Sequence, residues 1–325
     1  MGRVIKLRGV ARGVLGPLLT FFSHLFARLA VLAIMGMANS PVSVADIEPR
    51  SYANIPVGIN FLLAGYSYMK GNVAFAPTLP IDNAKLETHS SVFAYVRSLD
   101  IWGKSGKLDI IIPEAWLSGQ AEVFGQQKSR DVVGFADPLF RFYVNLYGVP
   151  ALSMKEFASY KQDTIVGVSL AVTAPGGQYD PSKLVNIGTN RWSIKPEIGV
   201  SKAWGPLTAE AAAGVFVFTD NHQPFRGNTL EQAPLYNLQG HLIYNFTQGI
   251  WGAFDANYYA GGRTTMDNKT ADNLQQNWRV GGTLAFPLSR QNSIKLYGST
   301  GVYSRNGSNF DIVGIAWQFR WGEGL

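Results

Sequence analysis

The sequence predicts an all-β fold. It reads as a transmembrane antiparallel β-barrel of about 12 strands over residues 46–325, preceded by a signal peptide at 1–45. Three observations predict it. Polar and apolar residues alternate with period two in runs of about ten to thirteen residues, whereas soluble strands usually run about five or six and a tilted spanning strand needs about 9–11. Apolar faces carry aromatics near their ends, among them Trp192, Trp251, Trp278, Phe286, Trp317 and Trp321, as girdles at two membrane interfaces do. Tight and long connections alternate, as turns on one side of a membrane and loops on the other would.

The N-terminus is read first. Arg3, Lys6, Arg8 and Arg12 open the chain, and an apolar run follows over 29–38. Ser43-Val44-Ala45 then precedes Asp46, with small residues where a signal peptidase reads. The apolar run is shorter than the roughly 20 residues of a spanning helix. The lead-in at 46–55 contains no recognisable plug domain. Net charge is +6, but residues 1–45 hold five basic residues and no acid. The rest is 23 basic against 22 acidic residues, so no basic stripe remains for nucleic acid. Cys is absent, which excludes disulfides and thiolate metal sites.

The alternating runs lie near 56–70, 91–102, 107–124, 135–147, 163–174, 192–204, 206–218, 234–247, 250–260, 275–287, 292–304 and 309–321. In the fourth, Phe140, Phe142, Val144 and Leu146 oppose Arg141, Tyr143, Asn145 and Tyr147. In the sixth, Trp192, Ile194, Ile198 and Val200 oppose Ser193, Lys195, Glu197 and Ser201. In the eighth, Leu238, Leu242, Tyr244 and Phe246 oppose Asn237, Gln239, His241 and Asn245. In the tenth, Trp278, Val280, Leu284 and Phe286 oppose Arg279 and Thr283. The third run changes parity near Pro113, which predicts a bulge. A soluble sandwich also alternates, with its apolar face inward. Strand length, girdles and loop alternation favour the barrel, whose apolar face points outward.

Connections near 103–106, 205, 248–249 and 288–291 are tight, and the link at 148–162 on the same side is longer. Those near 71–90, 125–134, 175–191, 219–233 and 261–274 are long, and 305–308 carries the hairpin pair Asn306-Gly307. An even strand count puts both ends of the barrel on the side of the short turns.

Charges on such a wall must face the lumen, because Lys or Arg facing lipid at midplane costs about 2–4 kcal/mol. The expected lumen set is Arg97, Glu114, Glu122, Arg141, Lys195, Glu197, Glu210, Asp255, Arg279, Lys295 and Arg320, with His241 beside them. Tyr66, Tyr68, Tyr143, Tyr147, Tyr297 and Tyr303 are placed on the same face, where they would stack on an aromatic solute. Both signs of charge suit a salt-bridged wall as well as a lining for solute passage. No phosphate loop, zinc-protease helix or dinucleotide fingerprint occurs. Neither a cofactor nor a metal site is expected. His241 is read as a polar lumen residue, since a base needs a nucleophile within reach.

The stretches PVGINFLLAGYSYMKGN, APGGQYDPSKLVNIGTNRWSIKPEIGVSKAWGPLTAE (174–210) and IKLYGSTGVYSRNGSNFDIVGIAWQFRW carry a resemblance over most of 54–321. They resemble the family named for the meta-pathway of phenol degradation. Pro175-Gly176-Gly177-Gln178-Tyr179-Asp180 matches its loop pattern, with Pro-Gly-Gly in place of the usual Pro-Thr-Gly. Asn186-Ile187-Gly188-Thr189-Asn190-Arg191-Trp192 follows. The resemblance implies an outer-membrane transporter for aromatic compounds, and the missing catalytic motifs lead us to expect no enzyme activity. Twelve-stranded outer-membrane phospholipases place Ser two residues after a wall His, whereas His241 is followed by Leu242, Ile243 and Tyr244. Gly176 and Gly177 permit positive φ and a tight turn, and Pro175 and Tyr179 are expected near the barrel mouth. The expected partners are outer-membrane lipid, a small hydrophobic or aromatic solute and the barrel-assembly machinery. That machinery would read the aromatic end of the last strand, Phe319 and Trp321, which four residues follow.

Overall fold

The alternating runs become strands that hydrogen-bond edge to edge until none is left open. In the computed structural model, residues 48–72, 81–123, 126–247, 249–306, 310–322 and 324 are described; the expected signal peptide lies outside them. The strands are β1 (Asn60–Asn72), β2 (Ile81–Ile101), β3 (Lys104–Val123), β4 (Gln126–Phe135), β5 (Leu139–Tyr147), β6 (Thr164–Thr173), β7 (Ser193–Trp204) and β8 (Leu207–Phe218). They continue as β9 (Leu230–Gln232), β10 (Leu235–Thr247), β11 (Ile250–Gly261), β12 (Thr264–Met266), β13 (Lys269–Thr270), β14 (Gln275–Pro287), β15 (Asn292–Ser304) and β16 (Phe310–Trp321). A one-turn helix, α1 (Met154–Phe157), starts on a Ser153–Glu156 capping box. Among the described residues no helix is long and apolar enough to cross a membrane.

Twelve strands close the ring in the order β1, β2, β3, β5, β6, β7, β8, β10, β11, β14, β15, β16. β16 returns antiparallel to β1, from Asn60 opposite Trp321 to Gly71 opposite Phe310. Each alternating run is one ring strand. Closure leaves no ring edge unpaired, which a wall in lipid requires. β9, β12 and β13 form a small separate sheet in the long loops.

Three readings of the sequence are corrected. β2 begins at Ile81, inside the expected 71–90 loop. The expected 125–134 loop is β4. At Pro113 there is no bulge toward β2, because the ladder runs unbroken through Val92 opposite Pro113. The far edge of β3 instead changes partner there. It pairs with β5 up to Ile111 opposite Leu139, then with β4 from Glu114 opposite Phe135. Pro113 has no N–H to donate at the switch, and its carbonyl accepts from Ala136 N at 2.8 Å.

The outer face carries the exposed apolar residues. Ile194, Ile198 and Val200 project from β7, Leu238 and Leu242 from β10, and Val313, Ile315 and Trp317 from β16. Tight turns join most strands at the end where the chain enters; the link from β5 to β6, which carries α1, is longer. In one, Trp102 and Gly103 have φ of 52° and 77°, as a two-residue hairpin turn needs, and Asp100 Oδ1 accepts from Gly103 N at 2.7 Å.

Candidate functional site: a lumen threaded by its own lead-in

Residues 48–59 do not stay outside the barrel. They run along the lumen to β1, held at matched charges and shapes. Arg141 of β5 grips the Glu48 carboxylate with both terminal nitrogens, Nη2 to Oε1 at 2.7 Å and Nη1 to Oε2. The Arg50 amide donates to Glu210 of β8 at 2.7 Å. The Arg50 guanidinium lies 4.5 Å over the Trp251 ring and donates to Asn245. The Tyr52 hydroxyl donates to Glu197 of β7 at 2.9 Å. Further along, Ser98 Oγ donates to Pro56 O at 2.6 Å and accepts from Ile59 N at 2.9 Å.

Tyr52 is only 2% exposed because two strand glycines make room for it. A Cβ on Gly199 would fall 2.1 Å from its ring, and one on Gly167 2.6 Å. The ring also meets Tyr143 edge to face at 5.9 Å. Glycine inside a strand marks close approach of another group, and here that group is the lead-in.

Beside the lead-in remains a cavity of about 100 Å³. Its polar lining includes Glu48, Arg141, Lys195, Glu197 and Gln239 with several hydroxyls, and its apolar lining includes Ile111, Leu139, Tyr143, Phe216 and Tyr259. Its reach to Pro113 and Asp137 brings it to the point where β3 changes partner. Lys195 Nζ bonds Glu197 at 2.6 Å, and Gln239 donates to the same carboxylate at 2.6 Å. Arg141 Nε lies 3.4 Å from Asp109. Further round, His241 Nδ1 meets Asp255 Oδ1 at 2.6 Å, Thr283 donates to Asp255 at 3.2 Å, and Ser201 donates to Glu210 at 3.0 Å.

Of the expected lumen residues, the register turns Arg141, Tyr143, Lys195, Glu197, Glu210, His241, Asp255, Arg279, Lys295 and Arg320 inward. Arg141, Tyr143, Lys195 and Glu197 share the cavity. Glu210, His241 and Asp255 stand at paired positions across β8, β10 and β11. Arg279 lies elsewhere, donating to Phe310 O at 2.9 Å and Ser299 at 2.7 Å. Arg320 donates to Arg290 O at 2.8 Å at the entry end.

Two are corrected. Glu114 faces outward, paired with Ser91 and Phe135, because the expected parity change at Pro113 does not occur. Arg97 faces outward at the rim, opposite Asn60 and Leu108, with Nη1 3.4 Å from Asn60 Oδ1. The Glu122 side chain lies outside the described ones. Among the tyrosines, Tyr143 and Tyr297 face the lumen. Tyr66 and Tyr68 face outward with Ile315 and Val313. Tyr147 and Tyr303 are turned outward by irregularities between Asn145 and Tyr147 and beside Trp278. Trp251, expected in a girdle, is inward beneath Arg50. The lead-in itself was missed as an occupant of the lumen. Gly167 and Gly199 were the only sequence signal, and they name no partner.

The loop carrying Pro175, Gly176, Gly177 and Tyr179 packs down on the mouth. Asp137 is its hub, accepting from Gly177 N at 2.9 Å, Thr189 N at 2.7 Å and Thr189 Oγ1 at 2.6 Å. Ile187 is buried with Leu86, Ala115, Leu117, Val132 and Ala136 of the wall. Tyr179 donates to Gln223 O at 2.8 Å. Gly176 and Gly177 are not at positive φ. Gly177 is needed for close approach, since a Cβ there would lie 2.8 Å from the Ala136–Asp137 backbone.

A closed antiparallel barrel with an apolar belt, short turns on one side and a charged, threaded lumen is the architecture of an outer-membrane barrel. The chain belongs to the family described as "Putative MetA-pathway of phenol degradation", whose model matches residues 70–319. Among solved structures, it is similar to an outer membrane channel from Pseudomonas putida F1, at 16% identity and a TM-score of 0.72, covering 84% of this chain and 99% of that one. The transport unit of the autotransporter AIDA-I from Escherichia coli is a more distant likeness, at 10% identity and a TM-score of 0.49, covering 86% of this chain and 94% of that one. No curated protein sequence matches this chain.

Proposed function

We propose that the protein is a passive outer-membrane channel for small hydrophobic or aromatic molecules. The observation that carries this is the cavity beside the lead-in, where aromatic and charged walls meet in a space of about 100 Å³. Such a space suits a single small ring. Long loops meet the solute first, the cavity second, and the lead-in must yield for it to pass. Family membership supports the substrate class. We place the chain in the outer membrane after cleavage of the N-terminal signal, folded there by the barrel-assembly machinery acting on Phe319 and Trp321. We infer no enzyme activity. His241 is committed to Asp255 and lacks the serine two residues on that the barrel phospholipases carry. Lipid hydrolysis lost in His241→Ala would overturn that.

One observation favours a second reading. The lead-in fills so much of the lumen that a structural or adhesive barrel conducting nothing has the same wall. Uptake by liposomes holding purified protein separates the two. The channel reading expects benzyl alcohol to enter faster than into empty liposomes. No flux of any small solute would sink it.

A further inference from the structure

We propose that the Glu48 carboxylate occupies a built anion site, and that the external ligand of this site is the carboxylate of a small aromatic acid, which enters by replacing Glu48 on Arg141. This rests on the channel reading and specifies its solute.

The contact has the geometry of ligand recognition. The guanidinium meets Glu48 through two parallel bonds, the match of planar fork to carboxylate. Its side chain is 11% exposed, so this is no surface pair. Behind the fork, on the wall itself, Asp109 lies 3.4 Å from Nε as an ion pair without a hydrogen bond. If Glu48 leaves, the guanidinium keeps one counter-charge, Asp109. The remaining field is cationic. Burial raises the Glu48 carboxyl, yet Arg141, then Lys295 and Lys107, outweigh it and hold the group at about 2. The neighbouring Lys195 already has Glu197. Removing Glu48 therefore leaves one negative charge missing, which a monoanion supplies.

The group that fills the site is not part of the wall. Glu48 lies on the lead-in rather than on a strand, and that segment is held here by side-chain contacts with Arg141, Glu210 and Glu197. The cavity that Glu48 and Arg141 line is also lined by Tyr143, Phe216 and Tyr259. A carboxylate on Arg141 would thus hold its ring against aromatic side chains, where edge-to-face and offset contacts are favourable. A hydrophobic solute without the charge would use the same walls but gain nothing from Arg141.

The test compares sodium benzoate with benzyl alcohol, equal in ring and unequal in charge, by calorimetric titration of the full chain and by liposome uptake. Glu48→Gln removes the internal competitor and keeps its shape. The ratio of benzoate to benzyl alcohol affinity is expected to rise at least about tenfold in this variant. Adding Arg141→Gln to it should abolish the rise, and Arg141→Lys should restore part of it. Heat-modifiable migration checks that each variant folds. Glu48→Gln improving both solutes equally would overturn the proposal, since Glu48 would then only obstruct. An unchanged ratio would overturn it too. In either case, benzyl alcohol flux through the wild-type chain leaves the channel reading standing, while no flux of either solute removes both.

Discussion

Truncating Tyr52 to alanine should loosen the lead-in without touching the barrel wall. The magnitude follows from its surroundings. A buried tyrosine removes about 150–250 Å² from water, about 4–6 kcal/mol at 25 cal/mol/Å². That is an upper bound, and large aromatic-to-alanine changes in cores cost about 3–5 kcal/mol. The lost bond to Glu197 leaves no orphan charge, because Lys195 and Gln239 keep that carboxylate at 2.6 Å each. At about 1.4 kcal/mol per factor of ten, the seated lead-in loses roughly two to three and a half powers of ten against the unseated one. Single-channel recording in planar bilayers should show longer and more frequent open events. The notch gives a second route to the same state. Gly199→Ala sets a methyl 2.1 Å from the ring, and overpacking of that kind costs about 1–3 kcal/mol. It should raise conductance less than Tyr52→Ala, and the double variant should match Tyr52→Ala alone, since both act through one contact. Wild-type conductance in a folded Tyr52→Ala channel, or additive effects in the double variant, would refute the seating described here.

Trp321→Asp should lower the amount of folded barrel in the membrane, measured as the heat-modifiable band. Trp321 stacks on Phe319 at 5.6 Å on the outer face of the closing strand, and normal levels would remove these two residues from assembly. Asp137→Ala deletes a carboxylate with three donors; bonds to charged groups contribute about 1.5–3 kcal/mol each. Tryptic cleavage after Lys183 should rise at least about tenfold, and unchanged protection would show that the loop is held otherwise. Glu114→Leu places an apolar side chain on the outer face, so conductance should stay at the wild-type value while thermal stability holds or rises. A conductance change would put Glu114 back in the lumen.

The ring was legible because lipid and water impose opposite chemistries on alternate residues. Leu238, Leu242 and Tyr244 against Asn237, Gln239 and His241 can be read only one way once the barrel is chosen. Legibility failed where the backbone breaks its period without a sequence mark. Gly148 follows Tyr147 and Gly301 precedes Val302, but strand glycines are frequent in this chain, so neither announces that Tyr147 and Tyr303 will turn outward. Pro113 did carry a mark, but proline at a change of partner looks the same as proline at a bulge, and Glu114 was misplaced with it. Trp251 ends a strand as a girdle residue would, yet it serves as the floor beneath Arg50. The lead-in was least legible. It has no period of its own, and its partners lie 93 residues away for Glu48, 160 for Arg50 and 145 for Tyr52.

Both signs of charge on the lumen wall meet groups of the lead-in. A wall of one sign would bind its counter-ions from water and need nothing from its own chain. Here the lead-in carries a negative Glu48, a positive Arg50 and a hydroxyl on Tyr52 within five residues. The wall meets them with Arg141, Glu210 and Glu197 on β5, β8 and β7. The Tyr52 hydroxyl approaches a carboxylate and the Glu48 carboxylate a guanidinium, so a shift of the segment by one residue would misplace both side chains, while the Arg50 amide, a backbone donor, adds hold without reading register. The order of charges on the wall therefore fixes the register of a segment that has no strand ladder to fix it. Any solute that passes must break that register at the cavity, where Glu48 can be replaced by a group of its own kind.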